Sequence, residues 1–141
     1  RARQIADLPA APCPTRSLAL HGCPQEPATD AYGIDAPLVA VLPGHDRPLH
    51  PALPYSEAMV RFAIRHEAAR TIEDILARRT RALFLDAAAA GTAIERIAQI
   101  FGEELHTSPE RLAAMVAAAR QRAGDFMAQA VIKLGHVSIQ L

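Results

Sequence analysis

The chain has 141 residues, of which half are apolar and 4% aromatic, with 15 basic side chains balanced by 15 acidic ones and no tryptophan. That length suits one domain whose core is built from Ala, Leu, Ile, Val and Met. The neutral balance argues against a dedicated nucleic-acid binder, which carries a basic excess. No apolar run reaches the roughly 20 residues that span a bilayer, and the opening RARQIADLPAAPCP lacks the continuous apolar segment of a secretory signal.

The first half is proline-rich: ten of the eleven prolines lie at or before Pro54. Proline removes a backbone donor and disfavours helix in the residue before it, so this stretch is expected to be mostly extended or looped. The exceptions are a helical turn at the N-terminus and a short helix near Ile34–Leu42. A segment this long without regular structure is expected to wrap over the helical half or over a neighbour. Cys13, His21 and Cys23 spell C-x7-H-x-C. With no fourth ligand and no CxxC knuckle, the reading is two free thiols in a reducing compartment and no metal site. The chain opens with Arg1 rather than Met, as a processed product or a piece of a longer polypeptide would.

From Tyr55 onward the periodicity is helical. Tyr55, Met59, Phe62, His66 and Ala69 fall on one face at 100° per residue. Thr71 has the character of an N-cap, with Glu73 and Asp74 in the first turn, where the helix dipole favours acids. Ile72, Ile75, Leu76 and Leu83 share the next face, and Arg79 intrudes on it. A third stripe, Ile94, Ile97, Ala98, Phe101 and Leu105, starts near Asp86 or at Thr92, where T-A-I-E has the form of a capping box. The sequence TSPE at 107–110 is the clearest helix start, with Ser108 as cap and Pro109 at the first position. The stripe after it runs from Leu112 through Met115, Val116, Ala119, Ala123, Phe126, Met127 and Ala130 to Leu134. It predicts a helix of about 39 Å at ~1.5 Å per residue, closed by Gly135. Its alanines allow a neighbouring helix to approach closely. HVSIQL beyond it has weak strand character or is a tail. The fold class is all-α: an irregular bundle of about four main helices, preceded by a proline-rich, mostly extended N-terminal segment.

The stretch IRHEAARTIEDILARRTRALFLD (64–86) carries the candidate chemistry. HEAAR has a zinc-protease beginning in His66 and Glu67, but Arg70 stands where the second histidine ligand belongs, and a guanidinium stays protonated. His66, on an apolar face, reads as a hydrogen-bonded core histidine. ARRTR gathers Arg78, Arg79 and Arg81, yet Glu73, Asp74 and Asp86 lie in the same segment and no aromatics interleave to stack bases, so nucleic acid is not the partner. Asp74 and Arg78 form a favourable i,i+4 pair. Arg79, in mid-face of a helix running from Ile72 to Leu83, requires a carboxylate. Glu67 and Asp86 are the candidates, and the pairing is expected to fix how two helices meet.

The segment YSEAMVRFAIRHEAARTIEDILARRTRALFLDA resembles the signature of the C-terminal helical domain of FAD-dependent glycerol-3-phosphate dehydrogenases. The resemblance runs through Tyr55–Glu57, then Arg65, Glu67 and Ala69, then Thr71, Asp74, Leu76, Arg78, Arg79, Arg81, Phe84, Leu85 and Asp86. PCPTRSLALHG (12–22) is similar to the family's strand-like lead-in, with Thr15, Leu20 and Gly22 in register, and YGIDAPLVAVL (32–42) fits more loosely. Beyond Leu105 only the helical pattern agrees.

The resemblance implies that residues 1–30 are a linker or crossover from a preceding FAD-binding domain, with 1–8 as the tail of its last helix, and that 31–141 form the helical C-terminal domain. It implies a parent enzyme that oxidises glycerol 3-phosphate to dihydroxyacetone phosphate. FAD takes the hydride and passes the electrons to quinone, or to oxygen in oxidase relatives. The implied location is cytoplasmic, with the parent peripheral on the inner membrane. The chain has no GxGxxG after a strand to cradle a dinucleotide pyrophosphate. No catalytic, cofactor-binding or metal residue is therefore carried over, and no FAD is expected in this chain. Glu67, Asp74, Arg78, Arg79, Arg81 and Asp86 are structural or interdomain candidates. The implied partner is the FAD-binding domain of the same polypeptide, and a homodimer is allowed. The alternatives are a free-standing helical interaction module or dimeric regulator, and a small enzyme or metal protein using the six scattered histidines, of which no two stand at helical ligand spacing.

Overall fold

The computed structural model describes residues 12–18 and 31–137, with residues 16 and 130–137 described as backbone. The chain falls into two compact units, Arg1–Ala36 and Pro37–Leu141. In the first, Pro14–Arg16 form a single 3-10 turn, closed by the Ser17 and Leu18 amides donating to the Pro14 carbonyl at 3.0 and 2.9 Å. The strand-like lead-in expected from residue 12 is thus a turn over its described part, because proline at the first position holds a helical φ. Leu20, His21, Gly22, Cys23 and the expected N-terminal helical turn lie outside the described residues. Cys13 is exposed, with its sulfur 2.9 Å from the Thr15 hydroxyl. A second 3-10 turn, Gly33–Asp35, runs into helix α1, Ala36–Ala40, where the short helix was expected.

After α1, residues 41–56 turn repeatedly and cover the start of α2, Glu57–His66. The first amides of a helix have no intrahelical acceptor. Here the Glu57 and Ala58 amides donate to the Arg47 and Gly44 carbonyls at 2.9 and 3.3 Å. Gly44 has φ +81°, and a Cβ on it would stand 2.6 Å from the Glu57 Cβ, so glycine is required. The α2 helix buries Ala58, Val60, Phe62, Ala63 and Ile64. It ends through Ala68 in the left-handed region, φ +55°.

The continuous helix expected from Ile72 to Leu83 is broken. Asp74–Arg79 form a π-helical turn, closed by the Thr80 amide donating to the Ile75 carbonyl five residues back at 2.9 Å. The buried Thr80 hydroxyl donates to the same carbonyl at 2.7 Å and accepts from the Ala82 amide at 3.3 Å. Arg81 then takes φ +57°, and a new helix, α3, covers Ala82–Leu85. The wider turn moves Arg79 out of the core and leaves it exposed.

Helix α4, Ala87–Thr92, is capped by Asp86, whose carboxylate accepts from the Ala89 amide at 2.9 Å. Helix α5, Ile94–Leu105, follows directly. No capping box forms at Thr92, because its hydroxyl donates back to the Ala89 carbonyl at 2.7 Å. His106, φ +50°, ends α5. The long α6, Pro109–Val137, begins where TSPE places it, with Ser108 accepting from the Arg111 amide at 3.4 Å. It continues past Gly135, since a glycine costs a helix only about 1 kcal/mol.

Helix α2 packs on α5, and α4 and α5 pack on α6. Phe101, Ile64, Ile72, Ile75, Leu76, Ile94, Ile97 and Ile100 are wholly buried, and each stabilises the fold by about 1.5–3 kcal/mol of apolar transfer. Ala119 and Ala123 bury the middle of α6. A Cβ on Gly102 would meet Leu112 Cδ1 at 3.2 Å, a measure of how closely α5 and α6 approach. Among the described residues there is no strand, only a bridge between Pro48 and Ser56, so the architecture is all-α.

Candidate functional site

Two sets of charged side chains organise the bundle. The first lies between α2 and α5 and was not anticipated. Glu57, 6% exposed, receives Arg96 through two parallel hydrogen bonds, Nε to Oε1 and Nη2 to Oε2, both 2.7 Å. Glu104 accepts from Arg61 Nη1 at 2.6 Å and from Arg65 Nε and Nη2 at 2.6 and 2.8 Å. Glu103 closes the chain by pairing with Arg61 and, at 3.3 Å, with Arg96. Arg61 is 7% exposed. The bond from Arg96 holds the Glu57 carboxyl below its ordinary range against the opposing effect of burial. Arg65, with help from Arg61, does the same for Glu104. All three carboxylates are therefore ionised acceptors held by guanidinium groups, a fork geometry that suits planar bidentate pairing.

The sequence signal for this set existed. Arg61 and Arg65 stand at i,i+4 on α2, and Arg96 and Glu103 stand two turns apart on α5. It becomes a contact only once α2 and α5 are known to be neighbours.

The second set is the motif segment. The Asp74 carboxylate accepts from the Arg70 and Thr71 amides at 3.0 and 2.9 Å and pairs with Arg78, while its own amide donates to the Thr71 hydroxyl at 3.1 Å. Burial pushes the Asp74 carboxyl up, but these donors outweigh it and the group sits below its ordinary range. Arg79 Nε and Nη2 donate to the Glu67 carbonyl at 3.2 and 2.6 Å, and Nε lies 3.5 Å from the Glu67 carboxylate. Of the two candidate partners, Glu67 takes Arg79 and Asp86 caps α4 instead. Arg70, at the second-ligand position of the failed zinc motif, donates to the Ile64 and Ala69 carbonyls at 3.2 and 3.1 Å. His66 is not a core residue: it is exposed, with its ring 4.8 Å from that of Phe62. The last turn of α2 leaves it outside because Ala68 reverses the chain immediately after.

Most of these side chains satisfy backbone groups at helix ends. Arg81, Phe84 and Leu85 differ: all three point outward. Among the described residues no group of three or more His, Cys, Asp and Glu side chains is arranged to hold a metal ion. Among the described residues there is also no strand–turn–helix unit of the kind that cradles a dinucleotide pyrophosphate. The arrangement clamps helices together and presents a surface.

The family model for the C-terminal domain of alpha-glycerophosphate oxidase matches residues 15–112. A probable mitochondrial glycerol-3-phosphate dehydrogenase of Dictyostelium discoideum is 42% identical over 84 residues, covering 57% of this chain and 13% of that protein. A probable mitochondrial glycerol-3-phosphate dehydrogenase of Caenorhabditis elegans is 39% identical over 72 residues, 51% of this chain and 10% of that protein. A mitochondrial glycerol-3-phosphate dehydrogenase of Arabidopsis thaliana is 38% identical over 77 residues, 52% of this chain and 12% of that protein. The matched part of the chain thus spans about a tenth of the length of these relatives. No solved structure matches it. With more than half of its residues inside the family model, the chain belongs to the family of the C-terminal domain of alpha-glycerophosphate oxidase.

Proposed function

We propose that this chain is the C-terminal helical accessory domain of an FAD-dependent glycerol-3-phosphate dehydrogenase. The parent oxidises glycerol 3-phosphate to dihydroxyacetone phosphate and delivers the electrons to quinone. Residues 1–30 serve as the crossover from the FAD-binding domain, and 31–141 pack against that domain and stabilise it. The parent works from the cytoplasmic side as a peripheral protein of the inner membrane. No described helix is long and apolar enough to cross a membrane. The observation that carries this reading is the family match over residues 15–112 together with three dehydrogenase relatives.

The FAD site belongs to the part of the parent outside this chain, and no step of the reaction is assigned to residues here. The test is glycerol 3-phosphate-dependent dye reduction, with flavin absorbance read in parallel. The chain alone is expected to show neither, and the polypeptide that joins it to a flavin domain is expected to show both. Turnover by the chain alone, or a flavin domain equally active and equally stable without it, would overturn the reading.

A further inference from the structure

We propose that the surface formed by Phe84, Leu85, Phe126 and Met127, with Arg81 at its rim, is where the catalytic part of the parent polypeptide seats. It would do so through an apolar face that sets a carboxylate opposite Arg81. This rests on the reading of the chain as one domain of a longer dehydrogenase. Phe84, Leu85 and Met127 are 59, 64 and 43% exposed. Phe84 meets Phe126 edge-on at 4.9 Å, which joins the helix Ala82–Leu85 to the middle of α6, and Leu85 and Met127 are the residues that follow them in the chain. The Arg81 guanidinium lies over the Phe84 ring, 5.6 Å from its centre. Its neighbours Arg78 and Arg79 are paired with Asp74 and Glu67. Arg81 makes no ion pair among the described residues.

Two features of the backbone separate this patch from a chance scatter of exposed apolar groups. The π-helical turn and the left-handed Arg81 come immediately before Phe84 and Leu85. A left-handed residue other than glycine costs about 1–2 kcal/mol. The chain bears that strain while presenting two large apolar side chains to water, and such strain clusters at functional sites.

The size of the patch selects the occupant. Side chains of this kind expose on the order of 150–250 Å² when free, so the three leave roughly 300 Å² of apolar surface in water. A stable free-standing complex or dimer buries about 800 Å² per partner. An interface between domains of one chain begins at about 600 Å² in total, or about 300 Å² per side. A tethered neighbour is held at millimolar effective concentration, so it needs no more than that. The relatives supply such a neighbour, since only 10–13% of their length aligns with this chain.

The experiment compares Leu85→Asp/Met127→Glu with the control Leu38→Asp, which alters an exposed apolar residue on α1. All are made both in the 141-residue chain and in the full-length dehydrogenase. In the short chain every variant should keep its helical circular dichroism and melting temperature, because the replaced side chains are exposed. In the full-length enzyme the double variant is expected to release the domain to protease at least tenfold faster than wild type, with the control unchanged. Amide exchange at residues 81–86 and 125–128, already slowed by their helical hydrogen bonds, should be slower still in the full-length enzyme than in the short chain. Equal proteolysis of double variant and control, with protection confined to another face, overturns the proposal and leaves the domain assignment standing. A short chain that dimerises, and loses the dimer on Leu85→Asp, assigns the patch to a second copy and also overturns it. No protection on any face of the domain sinks the domain assignment itself.

Discussion

Glu104→Gln isolates the buried charge set with the least change in shape. The Glu104 side chain is 7% exposed and accepts three charge-assisted hydrogen bonds, one from Arg61 and two from Arg65. Glutamine keeps one carbonyl acceptor and turns an NH2 toward guanidinium groups that can only donate. Hydrogen bonds to charged groups contribute about 1.5–3 kcal/mol each. Arg61 keeps Glu103, and Arg65, 43% exposed, can turn to water. The expected loss is therefore near the low end for two such bonds, about 3 kcal/mol. For a domain of this length that is about 10 °C in melting temperature. The assay is thermal unfolding followed by circular dichroism across a pH series. Because the Glu104 carboxyl is held low in the folded state, its contribution is fully present above the unfolded-state value of about 4.3 and is lost as pH falls through the folded-state value. The gap between wild type and Glu104→Gln should thus be constant from pH 6 to 8 and close in acid, where the wild-type carboxyl is also neutral. A shift below about 2 °C at pH 7, which for a domain of this length is under about 1 kcal/mol, refutes the reasoning. So does a gap that persists undiminished in acid.

Gly44→Ala is expected to cost about 3 kcal/mol or more, since it adds left-handed strain and drives Glu57 away from Arg96. A urea midpoint equal to wild type would show that the close approach at 2.6 Å yields without penalty. Ala68→Gly should stabilise the protein by about 1 kcal/mol, read as a raised midpoint, because φ +55° suits glycine and the residue is exposed. Thr80→Val keeps the shape but deletes the hydroxyl between Ile75 O and Ala82 N. A loss of about 1–2 kcal/mol is expected, and hydrogen exchange at residues 79–83 should quicken locally.

What could be read from the sequence is what depends on near neighbours along the chain. Ser108 and Pro109 start α6 because capping and a preset φ act within one turn. The Asp74–Arg78 pair follows from i,i+4 spacing, and the stripe of α6 from Leu112 to Phe126 is buried or partly buried against the core because its period is regular. What could not be read depends on departures from that period or on which helices meet. The face containing Arg79 was extrapolated at 100° per residue across a π turn, where the angle per residue is smaller, so Arg79 was placed in the core and stands outside it. Arg61 and Glu57 sit among the buried residues of α2, and nothing local reveals that α5 returns Arg96, Glu103 and Glu104 to meet them. His66 shares a face with Phe62 by spacing, yet the helix stops at that residue and leaves it in water.

The density of arginine–carboxylate contacts follows from the shortness of the helices. Every helix leaves four amides and four carbonyls without intrahelical partners, whatever its length. A bundle that contains α1, α3 and α4, none longer than six residues, therefore carries many more unpaired backbone groups per residue than one built only of long helices. With 4% aromatics, the core is too poor in large side chains to offset many of them left unsatisfied. The motif segment supplies the missing partners. Asp74 takes the amides of Arg70 and Thr71, and Asp86 takes that of Ala89. Arg70 takes the carbonyls of Ile64, in the last turn of α2, and of Ala69 beyond it, and Arg79 takes that of Glu67 between them. Thr71, Asp74, Arg79 and Asp86, four of the residues by which the chain resembles its family, are thus occupied in holding the turns closed. Arg81, Phe84 and Leu85 belong to the same motif but close no helix end, and it is for these exposed residues that the contact with the rest of the parent is proposed.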